Sequence, residues 1–313
     1  MEYRRVGKSG LKVSEIGLGC GSPTFAGTAD EATAIKIISH AIESGITYID
    51  TAETYAMGRS ETMVGKALKG KRDRVVLATK FGNPKIVNNT DQRGSRSRLM
   101  KSVEGSLKRL NTDYIDLYYL HRADPETPIE ETLRAVDDLV RSGKVRYIGC
   151  SNIAAWQLCE ALWTSKEHHL ESFAVVQNEY NIIERGIEQE LVPCCQAYGV
   201  GVVPYQPLAA GFLTGKYHRG QDMPAGARLT KGSPIDAGII SDAHFAILDK
   251  LETFARERGH SVGELALAWL LSRPCVCAVI PGATSMQQLS RNLAAVDWKL
   301  TAEDIAGIAK LLE

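Results

Sequence analysis

The feature that most constrains this chain is an alternation that runs to its end. A short β-rich run is followed by an amphipathic helical stretch, and then by the next β-rich run. Candidate strands occupy 14–19, 47–52, 74–81, 114–121, 145–151, 174–180, 201–207 and 277–283. Between them, stretches such as 30–45, 96–111, 129–144 and 186–199 place apolar residues at i, i+3 and i+4. Gly45 and Gly143 end two of these stretches with a helix C-terminal signal. Eight strand–helix units predict a (β/α)8 barrel, the TIM-barrel form of the α/β class, with residues 1–313 as a single domain. A doubly wound open sheet is the runner-up. The opening YRRVGKSGLKV predicts a small N-terminal β-hairpin that turns at Lys8–Ser9–Gly10.

Length and composition agree with a barrel. A chain of 313 residues can bury one large core. Formal net charge is zero, so no basic excess points to nucleic acid or to a membrane surface. The richest basic stretch, QRGSRSRLMK at 92–101, reads as a solvated loop leading into a helix. No apolar run approaches the ~18 residues of a membrane span, and the N-terminus lacks the apolar core of a signal peptide. The seven Cys include the pairs Cys194–Cys195 and Cys275/Cys277. Neither pair has zinc spacing, so free, mostly buried thiols and a cytoplasmic location are expected.

Two long insertions stand out, at 82–95 after the third strand and at 209–238 after the seventh. Loops longer than about 15 residues are usually functional or disordered. Both lie on the C-terminal side of strands, where barrel active sites are built.

The polar residues at those strand ends form a chemical set. The second strand gives Asp50, with Tyr55 just beyond, in IDTAETY. The third gives Lys80 and the fourth His121. The fifth gives Ser151 and Asn152, the sixth Gln177 and Asn178, the seventh Tyr205 and Gln206. An isolated phenol has a pKa near 10 and is a poor acid at neutral pH. A nearby ammonium lowers that value, and a carboxylate partner keeps a buried Lys charged. Asp50 and Lys80 can form that pair, Tyr55 can act as general acid, and His121 can orient a carbonyl oxygen. Each residue alone also has a structural reading: a turn cap for Asp50, a rim charge for Lys80, a hydrogen-bonded His121. Placement on three adjacent strands favours the joint chemistry. Glu53 reads as a solvated or capping residue.

The stretch IPGATSMQQLSRN at 280–292 follows the eighth strand with a Gly turn, two hydroxyls and a helix start. That is an anion site of backbone N–H groups, in the place where barrels often bind phosphate. Arg291 can add a cation. An ordinary capped helix is the plainer reading. Two motifs fail: GLGCGS has Ser22 where a dinucleotide fingerprint needs its third Gly, and GFLTGKY lacks the rest of a P-loop.

Along essentially its full length the chain resembles the aldo-keto reductase superfamily. The matching stretches are IDTAETY, ATKFG, DYIDLYYLH, GKVRYIGCSN, VVQNEYN, VPYQPLAAGFLTGKY and IPGATSMQQLSRNL. It looks closest to the bacterial branch near the potassium-channel β-subunit-like members. The resemblance implies an NADP(H)-dependent oxidoreductase that reduces an aldehyde or ketone, or oxidises the corresponding alcohol. It implies a tetrad of Asp50, Tyr55, Lys80 and His121, with Tyr55 as proton donor. It implies that Ser151, Asn152 and Gln177 hold the nicotinamide carboxamide and that Tyr205 stacks on the ring. By the same resemblance, Gln206, Pro207, Leu208 and Gly211 would line the pyrophosphate, with Lys216 and Arg228 as phosphate clamps. Gly282, Thr284, Gln288 and Asn292 would hold the adenosine half, with Arg291 as a further cation. The expected partner is a small carbonyl or alcohol substrate, and a homo-oligomer is compatible with the sequence.

Departures from the family pattern cluster near the pocket. Many relatives carry a bulky Trp where Gly21 stands, and Gly-x-Gly follows the Tyr where this chain has Ala56–Met57–Gly58. A wider mouth for bulky or branched carbonyl compounds is the resulting expectation. A competing reading is a catalytically weak cofactor-binding barrel that senses redox state or docks to a partner. The channel-associated relatives lack the strand-four His that His121 supplies, which argues against it. A metal-dependent hydrolase needs clustered ligands, and His168–His169 reads as a solvated pair instead.

Overall fold

The structure, a computed structural model, describes residues 1–21, 25, 30–84, 92–231 and 238–312. Parts of the two long insertions, 85–91 and 232–237, lie outside the described residues, as do Ser22–Thr24 in the stretch after Gly21. Strands β1 (Tyr3–Arg5) and β2 (Lys12–Ser14) pair antiparallel as the expected hairpin. Seven parallel strands follow in sequence order: β3 (Leu18–Gly19), β4 (Tyr48–Asp50), β5 (Val76–Phe81), β6 (Ile115–Leu120), β7 (Val145–Ser151), β8 (Val175–Gln177) and β9 (Gly201–Val202).

Residues 275–281 close the ring. Val202 N–H donates to Cys275 O (2.9 Å) and Cys277 N–H to Val202 O (3.0 Å) on one side. Val279 N–H donates to Glu15 O (2.9 Å), and Gly17 N–H donates back to Val279 O (2.8 Å), on the other. The predicted eighth strand at 277–283 therefore holds one isolated bridge, at Val279, with a second just before it at Val276. Pro281 has no N–H to extend a ladder, though its carbonyl accepts from Gly19 N–H (3.1 Å). The predicted strand at 201–207 is likewise cut to two residues, with prolines at 204 and 207.

The helices lie outside this ring. Among the described residues they include α1 (Glu31–Glu43), α2 (Arg59–Ala67), α3 (Arg96–Leu110), α4 (Ile129–Arg141), α5 (Ala155–Glu167) and α6 (Leu191–Tyr198). Four more follow: α7 (Asp242–Glu257), α8 (Val262–Leu271), α9 (Met286–Ala294) and α10 (Ala302–Leu311). Side chains cap several of them: Asp30 accepts from Thr33 N–H and Ser95 from Arg98 N–H. The predicted helix at 186–199 divides into a 3-10 turn at Gly186–Glu188 and α6, where Pro193 is tolerated because it falls in the first turn.

Two apolar layers result from the period-2 alternation of the strands. Outward residues pack against the helices in the larger core. Inward residues, among them Tyr48, Val76, Leu117, Tyr119 and Val175, fill the barrel, where the Tyr48 and Tyr119 hydroxyls meet at 2.8 Å. The hairpin stoppers the N-terminal end of this interior, because Val6 and Val13 belong to the same cluster. Gly7 makes that fit. Its φ is +56°, and a Cβ there would lie 2.6 Å from both Ala174 O and Gly199 O. With one end stoppered, the open end is the one where β4, β5 and β6 finish.

Candidate active site

Strand alternation turns Asp50 and Lys80 inward at the open end. Lys80 is fully buried and Asp50 is 2% exposed. The Lys80 ammonium donates to Asp50 Oδ1 (2.6 Å), to Thr51 O (2.9 Å) and to the Tyr55 hydroxyl (3.2 Å). The second Asp50 oxygen accepts from Gln177 Nε2 at 2.9 Å, so both are satisfied. The buried charge pair is thus hydrogen-bonded on every side, the condition under which such a pair survives without water.

The His121 ring meets the Tyr55 ring edge to face, with centroids 5.8 Å apart and planes at 87°. Asn83 Nδ2 lies 3.4 Å from His121 Nδ1. An amide NH2 donates, so with Asn83 in this orientation a neutral His121 would carry its proton on Nε2. The structure therefore brings Asp50, Tyr55, Lys80 and His121 together, as their places on adjacent strands anticipate.

The electrostatics differ from the expectation in one respect. Burial raises the Tyr55 pKa by more than the neighbouring ammonium lowers it, so the net shift is upward rather than toward neutrality. At neutral pH the phenol carries its proton. Lys80 is also raised: burial opposes its charge, and Asp50 and Tyr55 together outweigh burial.

The other predicted site residues fall into three groups. The first touches the tetrad. Asn152 donates through Nδ2 to His121 O (3.0 Å) and to Ser151 Oγ (3.0 Å), and its Oδ1 accepts from the Tyr205 hydroxyl (2.8 Å). Gln177 joins this group through Asp50. The second lies on the loop after β9, with Gln206, Pro207, Leu208, Gly211, Lys216 and Arg228. With the Gln206 amide oriented to satisfy its neighbours, its nitrogen donates to Glu179 (3.1 Å) and its oxygen accepts from Arg228 (3.2 Å). The Lys216 ammonium sits against Gly211, where a Cβ would be 3.1 Å from Nζ. The third group surrounds the start of α9. Gln288 Oε1 accepts from Thr284 N–H (2.8 Å) and from its hydroxyl (3.0 Å), and Asn292 Nδ2 donates to Gly282 O (3.2 Å). Ser285 caps the helix and Arg291 is exposed on it.

Backbone strain marks the same end. Ala56, Met57, Asn152, Gln206, Ala209 and Ala210 all have positive φ, between 44° and 56°. Each such residue costs roughly 1–2 kcal/mol relative to right-handed backbone, and strain of this kind collects at functional sites.

Some features were not read from the sequence. Glu53 is not solvated. It is 4% exposed and pairs with Arg98 Nη2 at 3.4 Å, while burial raises its pKa. The basic stretch at 92–101 is only partly solvated, because Arg96, Ser97 and Lys101 are exposed while other members are tied to the fold. Arg93 donates to Ala123 O (2.8 Å), Arg96 pairs with Asp138 (2.5 Å) and Arg98 pairs with Glu53. Behind Tyr55, Glu61 is fully buried between Thr79 Oγ1 and Arg109 Nε, both at 2.6 Å. These partners come from distant parts of the chain, on helices α3 and α4, strand β5 and the loop after β6, and no local pattern announces them. Among the described residues no group of His, Cys, Asp or Glu could hold a metal ion, and no helix is long and apolar enough to cross a membrane.

Comparison with known proteins agrees with this architecture. The model of the aldo/keto reductase family matches residues 15–313. The versiconal hemiacetal acetate reductase of Aspergillus parasiticus is 37% identical, over 97% of this chain and 95% of that protein. An uncharacterized oxidoreductase of Bacillus subtilis (strain 168), YrpG, is 37% identical over 97% of this chain and 93% of its own. A protein of Oryza sativa subsp. japonica, described as a probable voltage-gated potassium channel subunit beta, is 36% identical over 95% of this chain and 92% of its own. A barrel with this inward constellation, matched over nearly its whole length, belongs to the aldo/keto reductase family of oxidoreductases.

Proposed function

We propose that this chain is an NADP(H)-dependent carbonyl reductase, working in reverse as an alcohol dehydrogenase, with Tyr55 as the proton donor. The observation that carries the reading is the Lys80 ammonium held between the Asp50 carboxylate and the Tyr55 hydroxyl. The cofactor, when bound, supplies or accepts the hydride. Ser151, Asn152, Gln177 and Tyr205 are the residues to hold its nicotinamide end, and the second and third groups to hold its phosphates and adenosine. The second group fits an anion. Desolvation lowers the Lys216 pKa, and among the described residues no carboxylate pairs with it, so a phosphate would supply the missing counter-charge.

The chain's own steps follow from the geometry. A substrate carbonyl oxygen accepts hydrogen bonds from Tyr55 and from the Nε2–H of His121. Burial keeps Tyr55 protonated until negative charge develops on that oxygen, and the proton then moves from the phenol. The resulting phenolate faces Lys80 at 3.2 Å, and Asp50 keeps Lys80 charged throughout. Gly21 adds a finer reading. A Cβ there would lie 3.8 Å from Tyr55 Cε2 and 3.9 Å from Cζ, so a large side chain would cover the phenol. The substrate class is accordingly bulky or branched carbonyl compounds.

The test is consumption of NADPH, and in parallel NADH, with a panel of aldehydes, ketones and alcohols. Tyr55→Phe is expected to lower kcat by on the order of 10²–10⁴-fold while cofactor binding persists. Reduction by the unaltered protein is expected to hold steady across neutral pH and to fall only above the raised phenol pKa. Oxidation of alcohols, which needs phenolate, should rise over that alkaline range. Cofactor binding without turnover on any member of the panel would instead indicate a binding module. Gly21→Trp is expected to cut kcat/KM for bulky ketones by on the order of 10-fold or more and to spare small aldehydes. Equal effects on both would remove the size argument.

A further inference from the structure

We propose that Cys159 and Cys194 are an oxidation site that forms a reversible disulfide between α5 and α6. Their sulfur atoms are 3.4 Å apart, on residues separated by 35 positions in the chain. A disulfide bond is about 2.05 Å long, so a modest side-chain rotation with roughly 1.4 Å of approach closes it. Both residues are partly exposed, whereas Cys20, Cys150, Cys195 and Cys277 are buried. A small oxidant can therefore reach this pair. The vicinal Cys194–Cys195 pair is the weaker candidate, because Cys195 is fully buried and burial pushes its thiol up to about 12.

The pair lies behind the proposed site. Helix α5 follows β7, which ends in Ser151, and α6 follows β8, which ends in Gln177. The Cys194 sulfur also rests 3.9 Å from Ala155 O, in the first turn of α5. A bond between these thiols joins two helices that flank the strands bearing those residues. The bond itself does not depend on the catalytic reading.

The oxidant class is a low-molecular-weight disulfide. The Cys159 thiolate attacks one of its sulfurs, a mixed disulfide forms, and one small thiolate leaves. Cys194 then gives its proton to solvent and attacks the Cys159 sulfur, which expels the second small thiolate. Two protein thiols are oxidised, one small disulfide is reduced to two thiols, and the protein's two S–H protons pass through solvent to the leaving sulfurs. Burial pushes the Cys194 thiol up to about 11, and the mirror order, with Cys194 attacking first, gives the same products.

The experiment is titration of the full-length reduced protein with oxidised glutathione, followed by thiol counting, peptide mass mapping and thermal unfolding. The protein is expected to lose two of its seven thiols and to yield one Cys159–Cys194 peptide pair. Its Tm should rise by roughly 3–6 °C, and dithiothreitol should reverse the rise. Cys159→Ser and Cys194→Ser should each abolish the cross-link and the shift, and Cys275→Ser should retain both. Seven surviving thiols at saturating oxidant, glutathione adducts without a cross-link, or a cross-link through Cys195 would each overturn the proposal.

Discussion

Thr79 and Lys80 are neighbours on β5, and they serve two different buried carboxylates. Lys80 points into the barrel and meets Asp50. Thr79 points out toward the helices and meets Glu61, which Arg109 neutralises. Both carboxylates are almost wholly buried, and both are paired and hydrogen-bonded. Among the described residues only the inward pair hydrogen-bonds a phenol, Lys80 to Tyr55 at 3.2 Å, and it lies at the open end of the barrel. A buried ion pair is thus no sign of a reaction centre by itself. One step along a strand reverses the face a side chain occupies, and the face decides whether the pair lies at the open end of the barrel or against a helix.

The two sides are mechanically joined. Residues 55–58 lead from Tyr55 on the inner side to α2, which carries Glu61 on the outer side. Gly58, at φ +86°, lies against Arg109, where a Cβ would be 2.7 Å from Cδ. The outer ion pair therefore backs the loop that presents the phenol.

The comparison can be broken by removing one member from each side. Lys80→Met should have the largest effect, because it strips the counter-charge from Asp50 and, in the proposed mechanism, from the Tyr55 phenolate. Turnover should fall by on the order of 10²-fold or more, and stability by about 3–5 kcal/mol from the stranded carboxylate. Chemical unfolding and steady-state kinetics read the two losses separately. Glu61→Gln should cost about 3 kcal/mol of stability, because Arg109 and Thr79 lose their charged partner. Its kcat should stay within a few-fold of the starting value. A fall in kcat as deep as that of Lys80→Met would show that the outer pair is part of the reaction centre. The smallest effect is expected from Ala56→Gly. Ala56 sits at φ +49°, and Gly adopts that backbone without strain. Stability should rise by about 0.5–1 kcal/mol, and any accompanying loss of kcat would measure how far the strained loop holds Tyr55 in place.

The legible part of the site shares one origin. Asp50, Lys80 and His121 end consecutive strands, and parallel strands joined by helices bring such ends to one rim. The start of α9 was legible for a similar reason, since Ser285 and Gln288 are local helix-start signals. Arg98 and Glu53 were misread as solvated because charged residues usually are, and only the meeting of α3 with the β4 loop makes them partners. The eighth strand was overdrawn because β-branched residues at 276–280 look like a ladder, while Pro281 limits the pairing. The Tyr55 shift was given the wrong sign because sequence names the nearby ammonium but not the depth at which the phenol is packed.

The sequence by itself determined the alternation of strand and helix, the hairpin and the three charged or polar strand ends, because each follows from local period and turn chemistry. Tertiary structure alone decided which charges are buried together. Gln177 reaches Asp50 across 127 positions of chain, and Thr79 and Lys80 part to opposite sides of one sheet. Those meetings exist only after the barrel has closed, when low dielectric makes every unpaired charge costly and fixes its partner.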